Sequence, residues 1–170
     1  MRKWNWLFAL VTLAFAGAAR ADLNRMSSVD DRKFVEEATS GGMAEVKLGK
    51  LAVERAQSAE VKAFGRRMIA DHSRADQELK SLASHKNMSV PTGIDTAAMA
   101  EYEKLARLSG ADFDRAYMKL MVDDHDHDVK AFRREADGAV DPDLKSWASK
   151  TLPTLEQHQR MAHEIFDDMK

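Results

Sequence analysis

Residues 61–82 read VKAFGRRMIADHSRADQELKSL. Val61, Phe64, Met68, Ala75, Leu79 and Leu82 recur at three- and four-residue steps, with charged residues between them. That is the pattern of an amphipathic helix burying one face. Ser58, three residues before Val61, is placed to cap it, and the segment is expected to run to about Lys86. One residue breaks the apolar line: His72 stands where a hydrophobe belongs.

The same period runs through the flanking sequence. Upstream, Phe34, Val35, Ala38, Val46, Leu48, Ala52 and Val53 line a segment for which Asp30 or Asp31 is the expected cap, interrupted at Gly41-Gly42. Downstream, Asn87–Gly93 (NMSVPTG) reads as a loop, and a short helix from about Thr96 to Leu108 is expected to stop at Gly110. A third long segment, Asp112 to about Asp137, carries Phe113, Tyr117, Met118, Met121, Val122, Val129 and Phe132, and Gly138 closes it. Asp141-Pro142 then opens a fourth, running to about Met169 across Pro153, with Leu144, Trp147, Leu155, Ala162, Ile165 and Phe166.

Four helices of 26–29 residues, each about 40 Å long, specify an all-α four-helix bundle. The connection 87–111, with its short helix, is long enough to travel the bundle's length, which predicts the ferritin-like topology of one crossover between the second and third long helices. An up-down-up-down bundle is the alternative. The remainder of the 170-residue composition agrees: 8 Gly and 3 Pro are too few for a many-turned β-sandwich. The absence of Cys excludes disulfides, thiolate nucleophiles, zinc fingers, Fe–S clusters and covalent c-type haem.

Residues 1–21 (MRKWNWLFALVTLAFAGAARA) read as a secretory leader: a basic start at Arg2 and Lys3, an apolar run Leu7–Ala18, and a small-x-small cleavage site at Ala19-Arg20-Ala21. Twelve apolar residues are short for a membrane span, so an uncleaved anchor is the secondary reading and no stable membrane insertion is expected after cleavage. The expected organisation is a signal peptide at 1–21, an N-terminal extension at 22–30, and one bundle domain at 31–170, located in the periplasm or secreted. Without the leader, 23 basic face 28 acidic side chains, a net charge of −5 that argues against a nucleic-acid partner. A homo-oligomer or an envelope protein stays open as partner.

Each long segment holds one polar residue on its apolar line: Glu45, His72, His125 and His158. Each lies within about two residues of its segment's midpoint, hence within about 3 Å of a common level whichever way the helices run. A buried carboxylate needs a partner, and neutral imidazole with carboxylate is the donor set for Zn, Fe, Mn or Cu. The expectation is one transition metal ion held by Glu45, His72, His125 and His158; the alternative is a metal-free Glu/His hydrogen-bond network. Asp71, Asp124 and Asp128 lie beside these histidines; Asp128, three residues after His125, is placed to orient it, and the alternative for each of the three is a solvated helix residue. His85, His127 and His163 fall off the lines and are expected at the surface, and the tract Asp123–Asp128 (DDHDHD) points in several directions on a helix. Met68 and Met121 each precede a histidine by one turn, a spacing that suits copper as well as simple core filling.

The elements Ala44-Glu45-Val46-x-Leu48-Gly49-x-Leu51-Ala52, Val61-Lys62-x-Phe64, Met68-Ile69-x-Asp71-His72, Gly110-x2-Phe113-Asp114-x2-Tyr117, Met121-x3-His125 and Leu152-Pro153-x4-His158 resemble an exported bacterial family of unknown function with a ferritin-like fold, often named as membrane or outer membrane proteins. The resemblance spans about residues 34–166 and implies a periplasmic or secreted helical bundle without an assigned activity. The Glu-x-x-His pairs of di-iron bundles are missing, since Ile69, Val122 and Leu155 stand three residues before the histidines. No di-iron centre is therefore expected. Catalysis is not the leading expectation; were there any, it would be that of a metal-dependent oxidoreductase, and no phosphate loop, nucleophile elbow or HExxH supports another class.

Overall fold

The computed structural model describes the backbone of residues 13–169 and the side chains of residues 30–169. Five helices follow in order: α1 (Leu13–Arg55), α2 (Ala59–His85), α3 (Thr96–Leu105), α4 (Gly110–Gly138) and α5 (Pro142–Asp167). No strand occurs among the described residues. Of the expected leader, residues 1–12 lie outside the described residues.

Three ends follow the local chemistry expected of them. Ser58 Oγ accepts from the Glu60 and Val61 amides at 3.1 and 3.3 Å, supplying two of the orphan donors at the start of α2. Asp141 does the same for α5 through Asp143 and Leu144, with Pro142 as first residue. Pro153 sits inside α5, which continues past it. Gly138 is the last residue of α4.

Two ends differ from expectation. α1 runs through Asp30 and Asp31, so neither caps it. The buried Asp31 carboxylate instead accepts from Val140 N (3.3 Å) and Asp141 N (2.9 Å), capping the turn between α4 and α5 from across the bundle. Gly110 does not terminate the short helix either. That helix ends at Leu105, closed by Leu108 N donating to Leu105 O at 2.9 Å, and Gly110 becomes the first residue of α4. Its φ of +63° lets the chain turn beside Ala56, a conformation a side chain would strain.

These tertiary caps fix the topology. Asp114, near the start of α4, accepts from Gln57 N and Ser58 N at 3.0 and 2.7 Å, so α4 starts where α1 ends. Lys86, after α2, pairs with Asp141 and Asp143 at the start of α5. α1 and α2 therefore run opposite ways, α4 runs with α2, and α5 runs with α1. The segment between α2 and α4 must travel the full length of the bundle, as the long crossover predicted, carrying α3 along its side. The up-down-up-down alternative is excluded.

Inside each hairpin the packing is close. A Cβ on Gly65 would meet the Gly49 carbonyl oxygen and the Ala52 Cβ at 2.9 Å each, so α1 and α2 touch nearly backbone to backbone. Two apolar clusters fill the bundle. One is built around Leu51, Phe64, Phe113, Tyr117 and Met121 towards the α1–α2 turn, the other around Phe34, Leu79, Phe132, Leu144 and Trp147 towards the α4–α5 turn. Each fully buried Phe, Leu or Met in these layers contributes about 1.5–3 kcal/mol of transfer free energy. Between the layers lies a polar stratum.

Candidate metal centre

The polar stratum contains the four residues that broke the apolar lines. Glu45 is 3% exposed, His72 6%, and His125 and His158 0%, so all four are interior. The periodicity puts them on the inward faces of α1, α2, α4 and α5, and the protein fills the space around them with Phe64 on one side: its ring centroid lies 6.2 Å from that of His125 and 6.5 Å from that of His158.

The three imidazoles converge. Their ring centroids are separated by 5.8 Å (His72–His125), 5.4 Å (His72–His158) and 5.4 Å (His125–His158). One ligand nitrogen from each lies within 4.8 Å of the other two. Two of the rings have their second nitrogen committed. His125 Nδ1–H donates to the Met121 carbonyl at 2.9 Å, one turn back on its own helix. His158 Nε2–H donates to Asp71 Oδ2 at 3.0 Å, and Arg67 and Arg74 hold that carboxylate in place. These bonds set the tautomers, leaving His125 Nε2 and His158 Nδ1 with lone pairs. Both atoms, and His72 Nε2, are buried without any hydrogen-bond partner.

Burial and mutual repulsion hold the rings neutral. His72 is pushed well below the usual histidine range by desolvation and by the other two imidazoles. His125 is lowered to about 4 by burial and His158. His158 is lowered by burial, against the pull of Asp71. Three neutral imidazoles, each with an unpartnered nitrogen turned to the interior, form a ligand set that meets the requirement for metal binding, which takes the deprotonated ring. An isolated buried acceptor costs about 1–3 kcal/mol, so three together form an expense that an ion would relieve. The fit is to imidazole-preferring metals such as Zn, Cu and Fe.

Glu45 is at the expected height but stands outside this trio. Its neighbours are Asp124 and Asp128 of α4, and burial followed by these two carboxylates raises its pKa well above the ordinary glutamate value. Among the described residues no imidazole donates to it, and its Oε2 is buried without a partner. Asp128 does not orient His125, because that ring reaches its own helix's carbonyl. Desolvation raises Asp128 to about 6, and desolvation with Asp128 and other acids raises Asp124 to about 7, so neither is a simple solvated residue. The orienting partner is Asp71, read from sequence only as a neighbour of His72: it belongs to α2 and reaches His158 on α5, a tertiary relation that leaves no periodic trace. His85 and His127 are exposed as expected. His163 is half-buried and donates to Asp126 at 3.0 Å. Met68 and Met121 are wholly buried in the apolar layer above the trio.

This is an all-helical crossover bundle with a histidine centre in its interior. The chain belongs to the DUF4142 family, a domain of unknown function, whose pattern matches residues 16–165. Solved structures share the fold. A DUF305 fragment from Deinococcus radiodurans superposes with a TM-score of 0.72 at 15% identity, covering 82% of this chain and 96% of its own. CopM in its Cu(II)-bound form gives 0.70 at 18% identity over 82% and 97%. A Streptomyces coelicolor DUF305 protein, described as secreted, gives 0.70 at 15% identity over 82% and 93%. No curated protein sequence matches the chain.

Proposed function

We propose that this protein is an exported, ferritin-like metal-binding bundle that takes one transition metal ion, copper first, through His72, His125 and His158. The observation that carries the reading is the trio itself: three buried neutral rings, each with an unpartnered nitrogen, within 4.8 Å of one another. The support for copper is twofold. Imidazole is a good copper ligand, and the thioethers of Met68 and Met121 lie one turn from His72 and His125. The similarly folded CopM has Cu(I)-, Cu(II)- and Ag-bound forms. A resident ion would supply charge to the centre; the protein's own part is to hold the rings, fix the His158 tautomer through Asp71 and keep water out with Phe64. Glu45 is offered as an outer neighbour and not as a fourth ligand. Export is proposed from the leader-like residues 1–21.

The test is elemental analysis of protein isolated from its native compartment, with competitive titration of Cu(I), Ag(I) and Zn(II) against a chromophoric chelator. The reading expects one equivalent bound, and loss of binding in His72→Ala and His125→Ala. Absence of stoichiometric binding of any of the three ions by folded protein overturns it and leaves the metal-free polar stratum as the alternative.

A further inference from the structure

A cavity of about 600 Å³ runs between the two hairpins beneath α3, bounded by residues of all five helices. Its size falls in the usual range for small-molecule sites. A bare ion would leave most of that volume and its apolar wall unused. The wall carries Phe34, Phe132 and Trp147, whose ring centroids lie 5.0–6.2 Å apart, together with Leu48 and Leu155. The same cavity is lined by the carboxyls of Glu45, Asp124 and Asp128, and among the described residues no lysine or arginine lines it. None of these three carboxyls takes part in an ion pair or accepts a hydrogen bond among the described residues, and Glu45 Oε2 is buried without a partner. The indole Nε1–H of Trp147 is likewise buried and unpartnered.

The geometry points to a binding site for an organic ammonium ion with an apolar body: the cation held by Glu45, Asp124 and Asp128, the hydrocarbon laid against Phe34, Phe132 and Trp147. The chemistry of the lining asks for that class. Carboxyls in a low-dielectric recess reward a cation and reject an anion, while aromatic faces attract an ammonium and its methylenes together. A neutral apolar molecule would leave the Glu45 carboxyl unanswered. The cavity borders the metal centre, since His72 and His158 line it, but His125 does not, so a variant at His125 separates the two readings.

The probes are hexylamine, hexan-1-ol and hexanoate, which share one chain and differ in the head group. In a full-length Trp4→Phe/Trp6→Phe background Trp147 is the sole tryptophan, and its emission reports the cavity directly. With chelator present, hexylamine is expected to shift that emission saturably and to bind at least about tenfold more tightly than hexan-1-ol, with hexanoate weakest. A Glu45→Gln/Asp128→Asn double substitution should bring amine and alcohol to equal affinity. His125→Ala, which disables the metal centre, should leave the amine affinity unchanged. Equal affinity of amine and alcohol in the unsubstituted cavity, or no saturable response to hexylamine, overturns the proposal. Either result leaves the metal titration untouched, so the two readings fail separately.

Discussion

Replacing Asp71 with alanine tests whether the histidine trio is a built metal centre or an accident of packing. Asp71 touches no proposed ligand atom. Its Oδ2 accepts from His158 Nε2–H at 3.0 Å and from Arg67 Nε at 3.3 Å, and its Oδ1 from Arg74 at 3.1 Å. The two arginine pairs reach an exposed rim and contribute about 0–1 kcal/mol each. The bond to His158 matters more, because the ring is 0% exposed and its N–H would be left buried and unpaired. The metal-free protein should therefore lose about 1–3 kcal/mol. Removing such an outer partner typically lowers metal affinity about 10–100-fold, or about 1.4–2.7 kcal/mol. Asp71→Asn keeps an acceptor and gives up the charge, so it should recover most of the stability and only part of the affinity. The assay is chelator competition for Cu(I), paired with calorimetric melting of metal-free protein. An Asp71→Ala variant that stays folded and binds within about twofold of the parent would refute the argument.

Four further outcomes follow from the geometry. Glu45→Gln should lower copper affinity less than about tenfold, while His72→Ala should abolish binding; an equal loss would make Glu45 a fourth ligand. In the metal-free protein His125 holds its pKa near 4 against about 6.5 unfolded, so the unfolded chain takes up the proton first. Its share of stability is complete above pH 6.5 and falls by about 1.4 kcal/mol per unit on acidification towards pH 4; the melting temperature of His125→Leu should lack that component of the slope. Glu135 has the opposite sign: burial first, then Asp31, Asp30 and Asp141, raise it to about 7, so its ionisation penalises the fold above that pH and not below 4.5. Glu135→Gln should raise the melting temperature at pH 8 and leave it unchanged at pH 4. Gly65→Ala gains about 1 kcal/mol of helix propensity but loses about 1–3 kcal/mol to the clash with Gly49 and Ala52. A net fall in melting temperature is expected, with Gly93→Ala, which has open space around it, as the unaffected control.

The bundle was legible because its signal is one-dimensional. The lines through Phe64, Met68, Leu79 and through Tyr117, Met121, Phe132 state which face goes inward, and the length of 87–111 states that a crossover fits. Height was legible for the same reason: a residue's rise along its helix is set by count alone. Azimuth was not. Whether Glu45 turns towards the imidazoles or towards Asp124 and Asp128 depends on how α1 is rotated against α4, which packing decides. Caps were legible in chemistry and not always in address. Asp31 does accept backbone N–H groups, as a capping aspartate should, but those of Val140 and Asp141, 109 and 110 residues away. Gly110 marks a helix boundary, from the opposite side to the one expected.

The close contact of Gly49 with Gly65 has a bearing on mechanics. α1 grips α2 and α4 grips α5, whereas contacts between the two pairs are sparse. The molecule is thus two stiff halves laid together along a seam. His72 belongs to one half, His125 and His158 to the other. Whatever the trio grasps acts as a rivet through that seam, and loading should quiet the relative breathing of the halves far more than it alters either one. Amide exchange along the inner edges of α2 and α5 would record this as a change in tempo without a change in shape.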